Sequence, residues 1–445
     1  MLREYIYNPS FFGHLIVWVL AGLVSPFALI PVVFISNSIW FRDDAFLEVV
    51  LGLFFMTLLS DSRNFSLAFA QTVKPILALI IFLFSYLKIS QNGIKSKIHV
   101  NLGLFLIVAI ICLAQSPILF ESFQKTVSYF LIIFLVPNLL IWDWEINKEK
   151  TIKHLIYFLS IILVIGLLAR FLPIPLINPF LEGRFAGMFG NPNGLGIYSF
   201  LFVMILNLAS TYYPKLFNRK VSLIFFSLAI ISVISSGSRG ALLAIIAFLF
   251  FRYYGYRFGL PAFIAVVSLI ISFEFAIDVL ADFAASAGLQ EFLRTDTLES
   301  GSGRIIALDF AWEYIQKNYW LGLGIGYGDW LFKENYYYLA ILGHQGQVHN
   351  AYLNVWLDTG LIGLGAFVLG WGLSFAKALK QSKYTWAIIV GVFISTNAEV
   401  WIIGSLSPWM ITFLALITLV MYMKPKPEET LLPTEIEKPA IMTHA

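Results

Sequence analysis

Gln347-Val-His-Asn-Ala-Tyr-Leu-Asn-Val-Trp-Leu-Asp-Thr-Gly-Leu-Ile-Gly363 carries the chain from a polar loop into an apolar run that continues to about residue 376. Runs of this length suit helices crossing a hydrocarbon core of about 30 Å, and they lack the strict alternation of barrel strands. The stretch therefore sets the class as all-α and membrane-embedded. It also places His349 at the mouth of the run. Imidazole, with an ordinary pKa of about 6.5, is the side chain best suited to take a proton near neutral pH. His349 is the candidate base; the competing reading is a hydrogen-bonded residue at a helix start.

Composition widens this reading to the whole chain. At 445 residues, 59% hydrophobic and 12% charged, with a mean hydropathy of +0.82, it lacks the polar surface of a soluble protein of that size. The one cysteine, Cys112, lies inside an apolar run, so neither a disulfide framework nor a thiol metal site is expected. A net charge of +3 with dispersed Lys and Arg leaves no footprint for nucleic acid, and the lipid bilayer is the expected surrounding.

Apolar segments fall at about 11–36, 45–60, 66–89, 100–116, 124–142, 152–172, 192–213, 219–236, 239–256, 260–280, 350–376, 384–403 and 405–423. Basic clusters at Lys88/Lys95/Lys97, Lys148/Lys150/Lys153, Lys215/Arg219/Lys220, Arg252/Arg257, Lys377/Lys380/Lys383 and Lys424/Lys426 mark the cytoplasmic side. From residue 66 onward each cluster lies two crossings from the next. The loops at 117–123, 173–191, 237–238, 281–349 and about 404 then face outward.

The N-terminal part admits three layouts. If 45–60, short and carrying Glu48, lies at the interface, about twelve transmembrane helices result; if it spans, thirteen; if 11–36, broken by Pro26 and Pro31, is also a hairpin, fourteen. Twelve is the preferred layout. The expected organisation is a polytopic helical bundle over 1–423, with one long, partly helical periplasmic loop at about 281–349. A Pro-rich cytoplasmic tail at 424–445 reads as disordered, and no cleavable signal peptide is evident. The loop holds two expected helices, Ala285–Leu298 and Arg304–Trp320, the second with Ile305, Leu308, Trp312 and Ile315 on one side and suited to lie on the membrane surface. Leu321-Gly-Leu-Gly-Ile-Gly-Tyr-Gly328 lacks the ending of a phosphate loop and reads as turn and close packing.

Arginine on the outer face is the most informative pattern: Arg170, Arg184, Arg239, Arg294 and Arg304 defy the positive-inside tendency. Singly, each reads as a snorkelling or structurally paired residue; together they suggest a fixed anion. Arg184 sits in a Gly/Asn-rich loop that leads into a helix at Pro192, with Asn191 or Asn193 as cap, a place for a phosphate oxygen or simply a capped turn. Arg239 lies in the small-residue turn Ser235-Ser-Gly-Ser-Arg-Gly240. Arg304 follows Ser300-Gly-Ser-Gly. Lys74 and Glu399 sit toward the outer ends of apolar runs, where a charge is costly and usually paired; Glu399 is placed to orient an arginine or the histidine. At helical spacing His349 shares a face with Tyr352, Leu353 and Trp356, an aromatic face for a sugar ring or an interfacial anchor. Asp358 points away from it. No D-x-D triplet or outer His/carboxylate cluster appears, so no metal site is expected; arginines suffice for a diphosphate leaving group.

Gly183-Arg184…Gly190-Asn-Pro-Asn193, Ser238-Arg239-Gly240, Ser302-Gly-Arg304 and His349-Asn-Ala-Tyr-Leu353 with Gly360 and Gly363 resemble, in order and common sidedness, the bacterial O-antigen ligase and O-antigen polymerase superfamily. The resemblance spans roughly residues 150–420. It implies a metal-independent, inverting membrane glycosyltransferase without cofactors, in the bacterial inner membrane with its site facing the periplasm. The donor would be an undecaprenyl-diphosphate-linked glycan, and the acceptor lipid A-core or another lipid-linked glycan. By motif, Arg184 and Arg239 would hold the donor diphosphate, His349 would deprotonate the acceptor hydroxyl, and Arg304 would assist. Chain-length regulators or assembly proteins are conceivable partners. The competing class is a transporter or flippase of lipid-linked oligosaccharide, which favours midplane sites and inverted repeats; neither pattern is visible here.

Overall fold

The computed structural model describes residues 9–422 except 62, 64, 173–175, 182, 266–267, 269–303 and 345. The loop helix expected at 285–298, Arg294, most of the 260–280 run and the tail at 424–445 lie outside the described residues. The chain begins with α1 (Pro9–Val24), α2 (Pro26–Arg42), α3 (Phe46–Leu59), α4 (Phe69–Asn92), α5 (Gly103–Cys112), α6 (Leu119–Ile146) and α7 (Lys148–Ala169). A short hairpin, β1 (Phe180–Leu181) with β2 (Arg184–Phe185), leads into α8 (Pro192–Tyr212), α9 (Arg219–Ser236) and α10 (Arg239–Tyr253). After α11 (Arg304–Lys317) and α12 (Tyr327–Glu334), the chain closes with α13 (Ala351–Gln381), α14 (Thr385–Ala398) and α15 (Pro408–Tyr422).

This is an all-α membrane protein. Among the described residues, α4, α6, α7, α8, α9 and α13 are long and apolar enough to cross a bilayer; shorter apolar helices pack among them. One continuous apolar core runs through the bundle, and a smaller second core lies under α11 and α12.

The N-terminal part departs from the preferred layout. Residues 9–42 form an antiparallel helical hairpin. Ser25 Oγ accepts the Phe27 N–H, and Pro26 occupies the first position of α2, so the chain restarts there instead of merely kinking. Across the hairpin, Trp18 Nε1 donates to Ser36 Oγ at 2.9 Å and the Phe11 and Trp40 rings lie 5.4 Å apart.

Nor is α3 interfacial: every residue except Phe55 is buried. A Cβ at Gly52 would meet Trp40 at 2.9 Å and Trp18 at 3.0 Å, so this glycine lets the hairpin's indoles approach the α3 backbone. Glu48, the reason to place 45–60 at the interface, is buried where the Asp143 carboxylate accepts the Leu47 N–H (3.1 Å) and the Thr151 hydroxyl (2.6 Å). A charged residue there marks a polar cluster inside the bundle. The three helices of this region, at 16, 17 and 14 residues, are each shorter than the six described helices that are long and apolar enough to cross a bilayer.

The basic clusters gather at one end. Lys88 pairs with Asp44 (2.7 Å), Lys95 with Glu145 (3.0 Å), and the Tyr422 hydroxyl donates to the Lys95 carbonyl. Arg252 bonds Asn207 and Thr211, and its guanidinium lies 3.6 Å from the Tyr384 ring centre. The opposite end carries the loops around 61, 190, 237, 349 and 400.

At that end α13 is broken. Gly360 has φ +69°, outside the helical region, and the segment 319–324 crosses the gap. A Cβ on Gly360 would run into the Trp320 carbonyl, and one on Gly322 into the Asp358 backbone. The freed backbone groups find partners there: Leu361 N–H donates to Tyr319 O (2.9 Å), Gly324 N–H to Asp358 O (2.7 Å), and the Cys112 thiol points at Thr359 O (3.8 Å). The Asp358 carboxylate, fully buried, accepts the Gly326 and Gly328 N–H groups at 2.9 and 2.8 Å. The glycine-rich stretch is therefore close packing, as the sequence indicates.

The helix α11 packs by a narrow stripe of mostly small residues, and part of the apolar side read from the sequence stays exposed. Its buried stripe is Ala307, Ala311 and Ile315; Ile305 is 61% and Trp312 41% exposed. Small alanines let α11 pack on the outer half of α13, where Trp312 meets Trp356 edge to face at 5.5 Å.

Candidate functional site

Four separate segments converge beside the start of α8. Asn191 caps this helix, its side chain accepting the Asn193 N–H at 2.9 Å, and Pro192 takes the first position. That capped start turns the Asn193 side chain toward α14. Its amide donates to Glu399 Oε1 at 2.6 Å, while its carbonyl accepts from Arg184 Nη2 at 3.0 Å. Glu399 Oε2 in turn lies 3.3 Å from His349 Nδ1. Arg184, Asn193, Glu399 and His349 form one hydrogen-bonded chain.

Each member is held from behind. Arg184 follows a turn at Gly183 and donates Nε and Nη2 to Ser236 O at 3.2 and 3.0 Å, and Nη2 also to Gly237 O at 3.3 Å. These bonds to the end of α9 fix the plane of its guanidinium. Gly237 caps α9 in the left-handed region (φ +61°), which brings the chain round to Ser238 and Arg239 within two residues. Arg239, half-buried, starts α10. A Cβ on Gly240 would come within 2.8 Å of that of Ala398, so α10 begins against the end of α14 that presents Glu399.

His349 is not on the helix, as the spacing argument assumed. It precedes the cap: Asn350 is the N-cap of α13, accepting the Tyr352 and Leu353 N–H groups, and its amide donates to Asn397 Oδ1 at 3.3 Å. His349 itself has φ +51°, a conformation uncommon outside glycine that costs free energy and is retained where the surroundings impose it. This backbone turns the ring back toward Glu399. A carboxylate beside Nδ1 favours the tautomer with the proton on Nδ1 and leaves the Nε2 lone pair as proton acceptor. A Cβ on Gly346 would stand 3.2 Å from Nε2. The glycine lets this turn pass close to that nitrogen without a side chain against it.

Tyr352 turns to α14 instead: its hydroxyl lies 3.1 Å from Thr396 Oγ1 and its ring 5.9 Å from Phe393. Trp356 packs on Trp312 and Tyr319. Asp358 is engaged by the loop glycines, in line with its exclusion as partner of His349. The Arg304 backbone starts α11, and its side chain lies outside the described residues. Arg170 stacks over the Phe185 ring of β2 at 5.5 Å. Lys74 lies in a neighbouring cavity, its ammonium 3.1 Å from Ser60 Oγ.

Sequence reasoning passed over Asp61 and Arg63. Arg63 Nη1 donates to Gly190 O at 3.0 Å, and a Cβ on Gly190 would meet the Asp61 carboxyl at 2.6 Å. Arg63 belongs to the same outer-arginine pattern; with the N-terminal layout open, its side of the membrane was not assigned.

A family model described as O-antigen ligase matches residues 224–368. The matched stretch contains Arg239, Arg304 and His349, while Arg184, Asn193 and Glu399 lie on either side of it. No match was found among curated proteins.

Proposed function

We propose that the chain, which belongs to the O-antigen ligase and polymerase superfamily, transfers a glycan from undecaprenyl diphosphate to a sugar hydroxyl at the periplasmic face of the bacterial inner membrane. The observation that carries this reading is the bonded chain from Arg184 through Asn193 and Glu399 to His349, which puts a cation and an oriented base at one helix start.

His349 Nε2 takes the proton of the acceptor hydroxyl. The hydroxyl oxygen forms a bond to the anomeric carbon, and the bond from that carbon to the phosphate oxygen breaks, its electron pair leaving with undecaprenyl diphosphate. Attack opposite the leaving group inverts the configuration. Arg184 and Arg239 offset the charge that grows on the diphosphate, which is why the reaction needs no divalent ion. Glu399 is a positioning residue: it holds the Nδ1 proton and stabilises the imidazolium that forms. Ligation to lipid A-core and polymerisation on another lipid-linked unit use the same step.

The test uses purified protein with a lipid-diphosphate-linked glycan and follows release of undecaprenyl diphosphate. Arg184→Ala and Arg239→Ala are each expected to weaken donor use by about 2–4 kcal/mol in kcat/KM; unchanged values would remove the diphosphate from this place. Glu399→Gln keeps the volume and an acceptor for Asn193. It should lower kcat about ten- to hundred-fold while leaving KM and thermal stability near wild type. An equal rise in KM with kcat intact would make Glu399 a binding group instead.

The break in α13 is the one feature that favours a transporter reading, because broken helices hold substrates in many carriers. Here the gap is filled by residues 319–324, whose backbone takes up the freed groups. That leaves the transferase reading ahead.

A further inference from the structure

A cavity of about 170 Å³ opens between the end of α3, α4, the loop before α8 and the start of α15, lined by Ser60, Asp61, Lys74, Phe189, Ser407 and Trp409 among others. We propose that it is a carbohydrate subsite that holds one pyranose ring of the glycan. The proposal rests on the transferase reading for the source of that sugar, though the site stands on its own geometry.

The size fits one ring. At about 170 Å³ the space is of the order of one sugar ring. The chemistry also fits. The half-buried Trp409 gives the cavity an aromatic side, backed by the buried Phe189 with ring centres 6.3 Å apart; the indole N–H donates to Gly194 O at 2.8 Å, which fixes its ring.

Hydrogen-bonding capacity remains on both sides. Lys74 spends one of its three N–H donors, on Ser60. Asp61 accepts the Arg63 N–H on Oδ1, and Arg63 Nη1 stays 3.7 Å from Oδ2, beyond hydrogen-bond reach. A sugar hydroxyl both donates and accepts, and so satisfies Asp61 and Lys74 together. A phosphate satisfies Lys74 but meets the Asp61 carboxylate, which pairs with Arg63 only at 3.7 Å, and an apolar lipid tail offers neither group a further partner. The position suits the reaction as well, because Asp61 abuts Gly190, three residues before Asn193, which is bonded to Glu399 and through it to His349. A glycan seated here lies against the loop that leads into Asn193.

The experiment is saturation-transfer NMR on the full chain in nanodiscs. The probes are free glucose, galactose, mannose, rhamnose, N-acetylglucosamine, N-acetylgalactosamine and glucuronic acid at millimolar concentration. At least one sugar should receive saturation from the wild-type protein. The signal should fall roughly ten-fold in both Asp61→Asn and Lys74→Met, as loss of a charged hydrogen bond implies. It should persist in His349→Ala. No transfer to any sugar, or an equal signal in well-folded Asp61→Asn, overturns the subsite. Asp61→Asn keeps the side-chain volume and guards against misfolding of the lysine variant. The His349→Ala protein separates the two readings: if it still transfers glycan, the catalytic assignment fails while the sugar-binding result stands. A change of KM for donor or for acceptor in Asp61→Asn then assigns the bound ring to one substrate.

Discussion

His349→Ala is expected to abolish glycan transfer, lowering kcat by about 10²- to 10⁴-fold, the usual contribution of a general base. The variant should fold, since the bonds that shape this corner belong to others: Asn350 caps α13, and Asn193 still ties Glu399 to Arg184. Alanine keeps a Cβ, so the φ +51° backbone costs it about what it costs histidine, and the melt should stay near wild type. Release of undecaprenyl diphosphate, measured alongside a thermal melt, decides the matter. A variant that melts like wild type and turns over at a wild-type rate removes His349 from the chemistry.

Asp358→Ala is expected to undock the loop at 321–328 and to cost about 3–5 kcal/mol, as the loss of an acceptor for several buried N–H donors does. The carboxylate accepts from Gly326, Gly328 and, at 3.3 Å, the Asn354 amide; without it these N–H donors are buried and unmet. Hydrogen exchange should rise in 321–328 before it rises in α8 or α15. Asp358→Asn should be intermediate, because its carbonyl serves one glycine while its NH₂ faces the other N–H. Uniform exchange across all helices would show that Asp358 supports the bundle at large.

Reading of the class depended on signals that are local in the chain. Long apolar runs report a membrane helix wherever they occur, and Arg184, Glu399 and His349 were conspicuous because charged or basic groups stand out against such runs. Their partnership was visible as a possibility; the choice of Glu399 over other orienters needed the turn at His349, which sequence periodicity cannot show. The hairpin was signalled by Ser25-Pro26, a cap and a helix start, and was read as a break because the apolar run continues across it. Burial of α3 was hidden for a related reason: a helix enclosed on all sides has no polar face, so its sequence looks the same beside lipid as inside protein. The alanine stripe of α11 was overlooked because large residues attract attention when a face is sought, while close helix contacts favour small ones. Asp61 and Arg63 depend on contacts across more than a hundred residues, with Gly190.

The break at Gly360 divides α13 into two parts joined through the segment 319–324. In an uninterrupted helix, adding one residue near position 363 would swing everything before it by about 100° and carry the histidine away from Glu399. Here the outer part, 351–359, is clamped by Asn350, Asp358 and the loop, whereas 361–381 is seated in the bundle. Because the segment 319–324 bonds Asp358 on one side of the break and Leu361 and Ile362 on the other, the corner that holds His349 keeps its place through this loop instead of through the phase of one continuous helix.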